Sequence, residues 1–147
     1  MPWIKVWIHF VWSTKNREPY LNDGIRGMLF NHIEQNARKK KIFIDTIGGF
    51  TDHVHSLISL GGSQSLREIM QLIKGESSNW INKNGLVSPH FGWPDEYFAA
   101  SVSASNLPAV RKYILNQEAH HSTFSFDDEF EVFLKRAGFQ KFKDGWK

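Results

Sequence analysis

Cysteine is absent from the 147-residue chain, which excludes disulfides, thiolate zinc sites and cysteine nucleophiles. No apolar run approaches the roughly 18 residues of a membrane span, so no membrane partner is expected. The opening Met1-Pro2-Trp3-Ile4-Lys5 lacks the apolar core and cleavage site of a secretory signal, which makes the cytoplasm the expected location. Repeats, low-complexity tracts and linkers are missing too, and the length suits a single domain over residues 1–147. What is present is enough to build a core, with 41% hydrophobic and 22% charged residues. The net charge of +3 is compatible with a polyanionic partner. Six Trp and twelve Phe serve equally as core or as platforms for unpaired bases.

The pattern predicts alternating strands and helices. Trp3–Thr14 reads as a strand that is apolar on both faces, hence central. Asn22 caps a helix to about Lys40, with Ile25, Met28, Leu29 and Ile33 on its core face. Ile42–Ile47 and His53–Leu60 are strands close enough to form a hairpin. Ser65-Leu66-Arg67-Glu68 is a capping box that starts a helix to about Lys83. Tyr97–Val102 is a fourth strand, and helices over about 106–121 and 125–137 follow. The order β-α-β-β-α-β predicts an α+β, ferredoxin-like antiparallel sheet with two helices on one face. The later helices are then available to cover the open face.

His53-Val54-His55 is the most informative stretch. Residues two apart on a strand share a face, so both imidazoles point one way, roughly 7 Å apart at Cβ, while Val54 points to the core. Side-by-side imidazoles make half of a divalent-metal site. On the helix over 106–121, Tyr113 and Gln117 lie one turn apart. Packed across the open sheet face, that helix brings the Gln117 carbonyl and the Tyr113 hydroxyl to the same metal. Two imidazoles and an amide leave positions open and suit Mg²⁺ or Mn²⁺ shared with a substrate phosphate. A tyrosine hydroxyl beside that phosphate can attack it, giving a phosphotyrosine ester that conserves bond energy for rejoining. A polar His9 on the first strand, like most such residues, reads first as structural.

These residues resemble a known family. His53-Val54-His55 matches the HUH motif, and Tyr113-Ile114-Leu115-Asn116-Gln117 looks like the tyrosine helix of the single-tyrosine HUH transposases of the insertion sequence 200/605 type, including REP-associated relatives. The likeness extends to Val11-Trp12-Ser13-Thr14-Lys15, Phe98–Ser103 and Gln117–Phe130. The resemblance implies a DNA transposase with Tyr113 as nucleophile and His53, His55 and Gln117 as ligands of Mg²⁺ or Mn²⁺. It implies single-stranded DNA with hairpins as substrate, and a homodimer in which the tyrosine helix of one subunit can serve the histidines of the other. Arg111, Lys112, the cluster Lys39, Lys40 and Lys41, and Trp93 or Trp146 are candidate DNA contacts. His9, Asn116 and His120 are candidates to support the metal ligands or touch DNA.

Two rival readings have distinct signatures. A non-catalytic single-stranded nucleic-acid-binding module of ferredoxin-like fold would bind without metal. A metal-dependent nuclease that uses water would cut without a protein–DNA adduct and would tolerate Tyr113→Phe. A third reading keeps the family fold but serves the host, cutting hairpin repeats without moving an element.

Overall fold

The computed structural model describes residues 2–121 and 124–143, together with the backbone of 145–146. Its elements are β1 (Val6–Ser13), α1 (Asp23–Lys39), β2 (Phe43–Gly49), β3 (His53–Leu60), α2 (Leu66–Lys83), β4 (Phe98–Val102), α3 (Leu107–Leu115), α4 (Gln117–His121), α5 (Phe126–Arg136), β5 (Lys141–Phe142) and β6 (Gly145–Trp146). The helix starts follow the sequence signals. Asn22 Oδ1 accepts from the Ile25 amide at 3.0 Å, and Ser65 and Ser125 do the same for Glu68 and Asp128 at 3.1 and 3.2 Å.

The main sheet has the order β2-β3-β1-β4, and every neighbouring pair is antiparallel. This is the expected ferredoxin-like sheet. Alternation along the strands sends side chains to two cores. Ile8, Phe10, Trp12, Val54 and Ile58 pack with α1 and α2, through Leu29, Ile33, Ile69, Ile73 and Ile81. On the opposite face Val11 meets Phe98, Phe126 and Leu134, while Leu57 meets Leu107 and Ile114. The face left open by the β-α-β-β-α-β unit is thus covered by α3 and α5. Burying these apolar faces at ~25 cal/mol per Å² is the main source of stability.

Three expectations are corrected. The first strand starts at Val6, whose partner Leu60 is the last residue of β3, so Trp3 has no strand to pair with and is fully exposed. Met28 is 49% exposed, on the rim of the α1 stripe. The helix over 106–121 is two helices, broken at Asn116 (φ −99°, ψ 19°), whose amide bonds to the Lys112 and Tyr113 carbonyls. Asn is a weak helix former with a side chain that competes for the backbone, and no Gly or Pro announces the break.

Candidate active site

β3 positions the first two candidate ligands as its alternation requires. His53 and His55 are fully buried and face the layer of α3, α4 and α5, with their rings 5.0 Å apart. Their outer nitrogens are anchored. His53 Nδ1 lies 2.8 Å from Asp52 Oδ1, and His55 Nδ1 lies 2.9 Å from His9 Nε2, on the neighbouring strand β1. Both Nε2 atoms therefore point inward, the arrangement by which a carboxylate or imidazole behind a metal-ligating histidine fixes its ring. His9 thus sits behind His55, at the rear of the site.

α3 and α4 bring the next groups. Gln117, 1% exposed, places Oε1 2.9 Å from His53 Nε2 and 3.0 Å from His121 Nε2, while its amide donates to the Tyr113 carbonyl at 3.2 Å. The break at Asn116 lets α4 turn so that Gln117 and His121 both point inward. Tyr113 is half-buried, its ring 5.6 Å from that of His55 in the same chain. The close approach of α3 depends on Gly48: a Cβ there would collide with the Ile114 carbonyl oxygen. Arg111 pairs with Asp45 through two hydrogen bonds of 2.7 and 2.9 Å, tying α3 to β2. Arg26, 4% exposed, binds Glu118 at 2.6 Å and the Leu21 carbonyl at 2.7 Å, tying α4 to α1.

Glu129 on α5, not foreseen from the sequence, lies at the centre. It is 2% exposed; Oε1 is 3.0 Å from His55 Nε2 and 3.6 Å from His53 Nε2, and Oε2 lies 2.9 and 3.0 Å from the Nε2 atoms of His120 and His121. The signal available was a carboxylate inside the apolar stripe Phe126, Phe130, Phe133 and Leu134 of an amphipathic helix. His121 and Asp52 were missed as well. The His120-His121 pair was visible, but only the inward turn of α4 shows what it does. Asp52 precedes the motif by one residue, where the strand gives no reason to expect a contact.

The electrostatics follow from burial and this carboxylate. Burial pushes His55 down to about 4, against the pull of Glu129, and pushes His9 down to about 3 with help from His55. For Glu129, burial alone would raise the carboxyl; hydrogen bonds from His121 and His55 outweigh it and hold the group well below the carboxylate range. For His121, burial is outweighed by Glu129, and the ring is raised. Burial, then the Glu129 carboxylate, push the Tyr113 phenol upward.

The donor set fits a cation. Both nitrogens of His53 face oxygens, Asp52 Oδ1 and Gln117 Oε1. A neutral imidazole has one N–H, so a neutral ring cannot donate to both. Reversing the Gln117 amide would set its oxygen against the Tyr113 carbonyl. A cation between His53 Nε2 and Gln117 Oε1 resolves the mismatch. Among the described residues, His53, His55 and Glu129 offer ligand atoms within 4.8 Å of one another, as do His120, His121 and Glu129.

The remaining candidates lie elsewhere. Lys39, Lys40 and Lys41 are exposed at the end of α1, and Lys112 is exposed on α3. Asn116 is exposed at the helix break, away from the buried donors. Trp93 is half-buried: it donates to Ser77 Oγ at 2.9 Å and meets Trp12 and Phe91 edge-on, so it anchors its loop to α2. The Trp146 side chain lies outside the described residues.

The main sheet thus carries a His-x-His strand beneath a tyrosine-bearing helix. Residues 3–117 match the model of the IS200-like transposase family, and the chain belongs to that family. It is accordingly a DNA transposase, an enzyme that cleaves DNA and transfers strands. Among curated proteins, the ISDra2 transposase TnpA of Deinococcus radiodurans is 26% identical over 118 residues, 74% of this chain and 81% of that protein. Among solved structures, a Deinococcus radiodurans transposase superposes with a TM-score of 0.64 at 23% identity, covering 79% of this chain and 93% of that one. A REP-associated tyrosine transposase bound to a REP hairpin gives 0.62 at 18% identity, covering 82% and 72%. No described helix is long and apolar enough to cross a membrane.

Proposed function

We propose that this transposase cuts and rejoins single-stranded DNA through a 5′-phosphotyrosine on Tyr113. The observation that carries the reading is the convergence of His53, His55 and Gln117 beside the Tyr113 ring within one chain. His53, His55 and Gln117 would hold Mg²⁺ or Mn²⁺, which when bound polarises the scissile phosphate and offsets its charge. The Tyr113 oxygen attacks phosphorus and its bond to phosphorus forms as the bond to the 3′ oxygen breaks. The phenolic proton passes to the imidazole–carboxylate cluster and from there to the departing 3′ oxygen, which becomes a hydroxyl, so no net proton is gained or lost. A raised phenol is protonated at neutral pH, so attack depends on this cluster and on charge neutralisation at the phosphate. Reversal with a 3′ hydroxyl of another strand end rejoins DNA without a nucleotide cofactor.

The substrate in this reading is single-stranded DNA bearing hairpins at element ends, in the cytoplasm. Support comes from the hairpin held by the REP-associated relative and from exposed Lys39, Lys40, Lys41 and Lys112. The resemblance favours a homodimer, and the proximity of Tyr113 to its own chain's His55 favours an active site completed in cis.

The test is cleavage of oligonucleotides from the DNA flanking the gene, with Mg²⁺, Mn²⁺ or chelator. Cleavage should require metal and should fall at least ~10³-fold in Tyr113→Phe. Metal-dependent cleavage that survives Tyr113→Phe would instead mean a water-using nuclease.

A further inference from the structure

The matched family region ends at Gln117, yet the centre of the site is filled from beyond it, by Glu129 on α5. We infer that Glu129 is a fourth protein ligand of the metal centre, binding through Oε1 beside His53, His55 and Gln117, and that its charge strengthens divalent-cation binding there. The inference rests on the reading of His53, His55 and Gln117 as metal ligands.

Three observations carry it. First, the position is wrong for an ordinary carboxylate. Phe126, three residues before Glu129, and Phe133, four after, pack against the sheet-face groups, which aims Glu129 at the same face. A carboxylate 2% exposed needs cationic or hydrogen-bonding partners, and its ion-pair partners among the described residues are all histidines. Second, three of the donor–donor spacings are compatible with ligands around one ion. Donor atoms about 2.0–2.2 Å from a metal lie roughly 3.0–3.6 Å from each other. His55 Nε2 to Glu129 Oε1 is 3.0 Å, His53 Nε2 to Glu129 Oε1 is 3.6 Å, and His53 Nε2 to Gln117 Oε1 is 2.9 Å. Third, the two carboxylate oxygens face different groups. Oε2 lies 2.9 and 3.0 Å from the Nε2 atoms of His120 and His121, and Oε1 is the oxygen that faces the strand histidines.

The chemistry of the set decides the metal. His53, His55 and Gln117 form a neutral group; Glu129 adds one negative charge and a second hard oxygen. Imidazole-rich sets bind divalent transition metals more tightly than Mg²⁺, which keeps its waters and prefers oxygen. The imidazoles set this preference, the Glu129 charge tightens binding of either ion, and four protein ligands still leave room for a phosphate oxygen on a six-coordinate ion.

The experiment uses the full chain, stripped of metal and free of DNA. Mn²⁺ is titrated by loss of its free-ion EPR signal, then competed with Mg²⁺. Unaltered protein should bind one Mn²⁺ at least tenfold more tightly than Mg²⁺. Glu129→Gln, close in shape, should weaken Mn²⁺ ten- to a hundredfold, Glu131→Gln on the exposed side of α5 should not, and His55→Ala should abolish binding. If Glu129→Gln binds Mn²⁺ like the unaltered chain while His55→Ala does not, the Glu129 assignment fails and the metal centre stands. If neither variant loses Mn²⁺, the centre itself fails. Should Glu129→Gln not fold, a manganese-soaked crystal of the unaltered chain decides. An anomalous peak within about 2.4 Å of Glu129 Oε1 supports the assignment, and one beyond about 3.5 Å overturns it.

Discussion

His53 and His55 each hold one nitrogen towards the site and one away, and the away-facing contacts set the ring orientation. Asp52 behind His53 and His9 behind His55 are therefore expected to matter without touching substrate. Asp52→Asn should lower divalent-metal affinity by roughly 10–100-fold while metal-free DNA binding is unchanged. Calorimetric metal titration beside an anisotropy assay separates the two. Among single residues the sequence was legible where alternation operates: a His-x-His strand has to present both rings together. It was silent on Asp52 and Glu129, because one contact is made across a strand start and the other across 74 residues of chain. Arg111 and Trp93 show the converse. Their residue types suit DNA, and the sequence did not show that Asp45 and Ser77 also hydrogen-bond them.

Among the elements, the site depends on how closely α3 approaches β2 and how α4 leaves α3. Gly48 permits the first, since a Cβ would meet the Ile114 backbone and could be accommodated only by moving the helix that carries Tyr113. Gly48→Ala is expected to reduce strand cleavage more than tenfold and stability by ~1–3 kcal/mol. Cleavage rates and urea unfolding test this, and wild-type rates in the variant would show that α3 placement does not matter. The four strands of the main sheet, α1, α2 and α5 could be read from periodicity and capping. The break at Asn116 could not, because the spacing of Tyr113, Gln117 and His120 fits a continuous helix equally well. What decides the break is tertiary: Arg26 anchors Glu118, and Gln117 and His121 turn inward to the buried carboxylate.

For the whole molecule, the buried imidazoles make stability depend on pH. The folded values of His9 and His55, about 3 and 4, lie below the ordinary histidine value of 6.5. Between about 4 and 6.5 the unfolded chain binds protons that these folded rings refuse, so stability is lost as pH falls through that window. Glu129, held low, adds a further loss below its ordinary range, while raised His121 opposes the trend above 6.5. In chelator, unfolding free energy should drop by a few kcal/mol from pH 7 to pH 4. His9→Gln, which removes one titrating ring, should shrink that drop.

Charge on the exposed surface should govern DNA binding in the same global way. Neutralising Lys39, Lys40 and Lys41 together should weaken hairpin DNA binding. It should also flatten the salt dependence by about 0.7 in log–log slope for each single-strand phosphate that the protein then leaves unneutralised. Anisotropy at several salt concentrations reads both effects, and an unchanged slope would place the DNA on another surface.

The proposed function turns on a covalent bond between Tyr113 and DNA, and peptide mass spectrometry after reaction with a single-stranded hairpin oligonucleotide looks for that bond directly. The chain has three tyrosines, Tyr20, Tyr97 and Tyr113, so the modified residue is identified unambiguously. The expected product is a nucleotide linked through its 5′ phosphate to the peptide containing Tyr113, with a free 3′ hydroxyl on the released strand. Cleaved DNA with an unmodified Tyr113 peptide, or with the nucleotide on Tyr20 or Tyr97, would refute the assignment of Tyr113 as nucleophile.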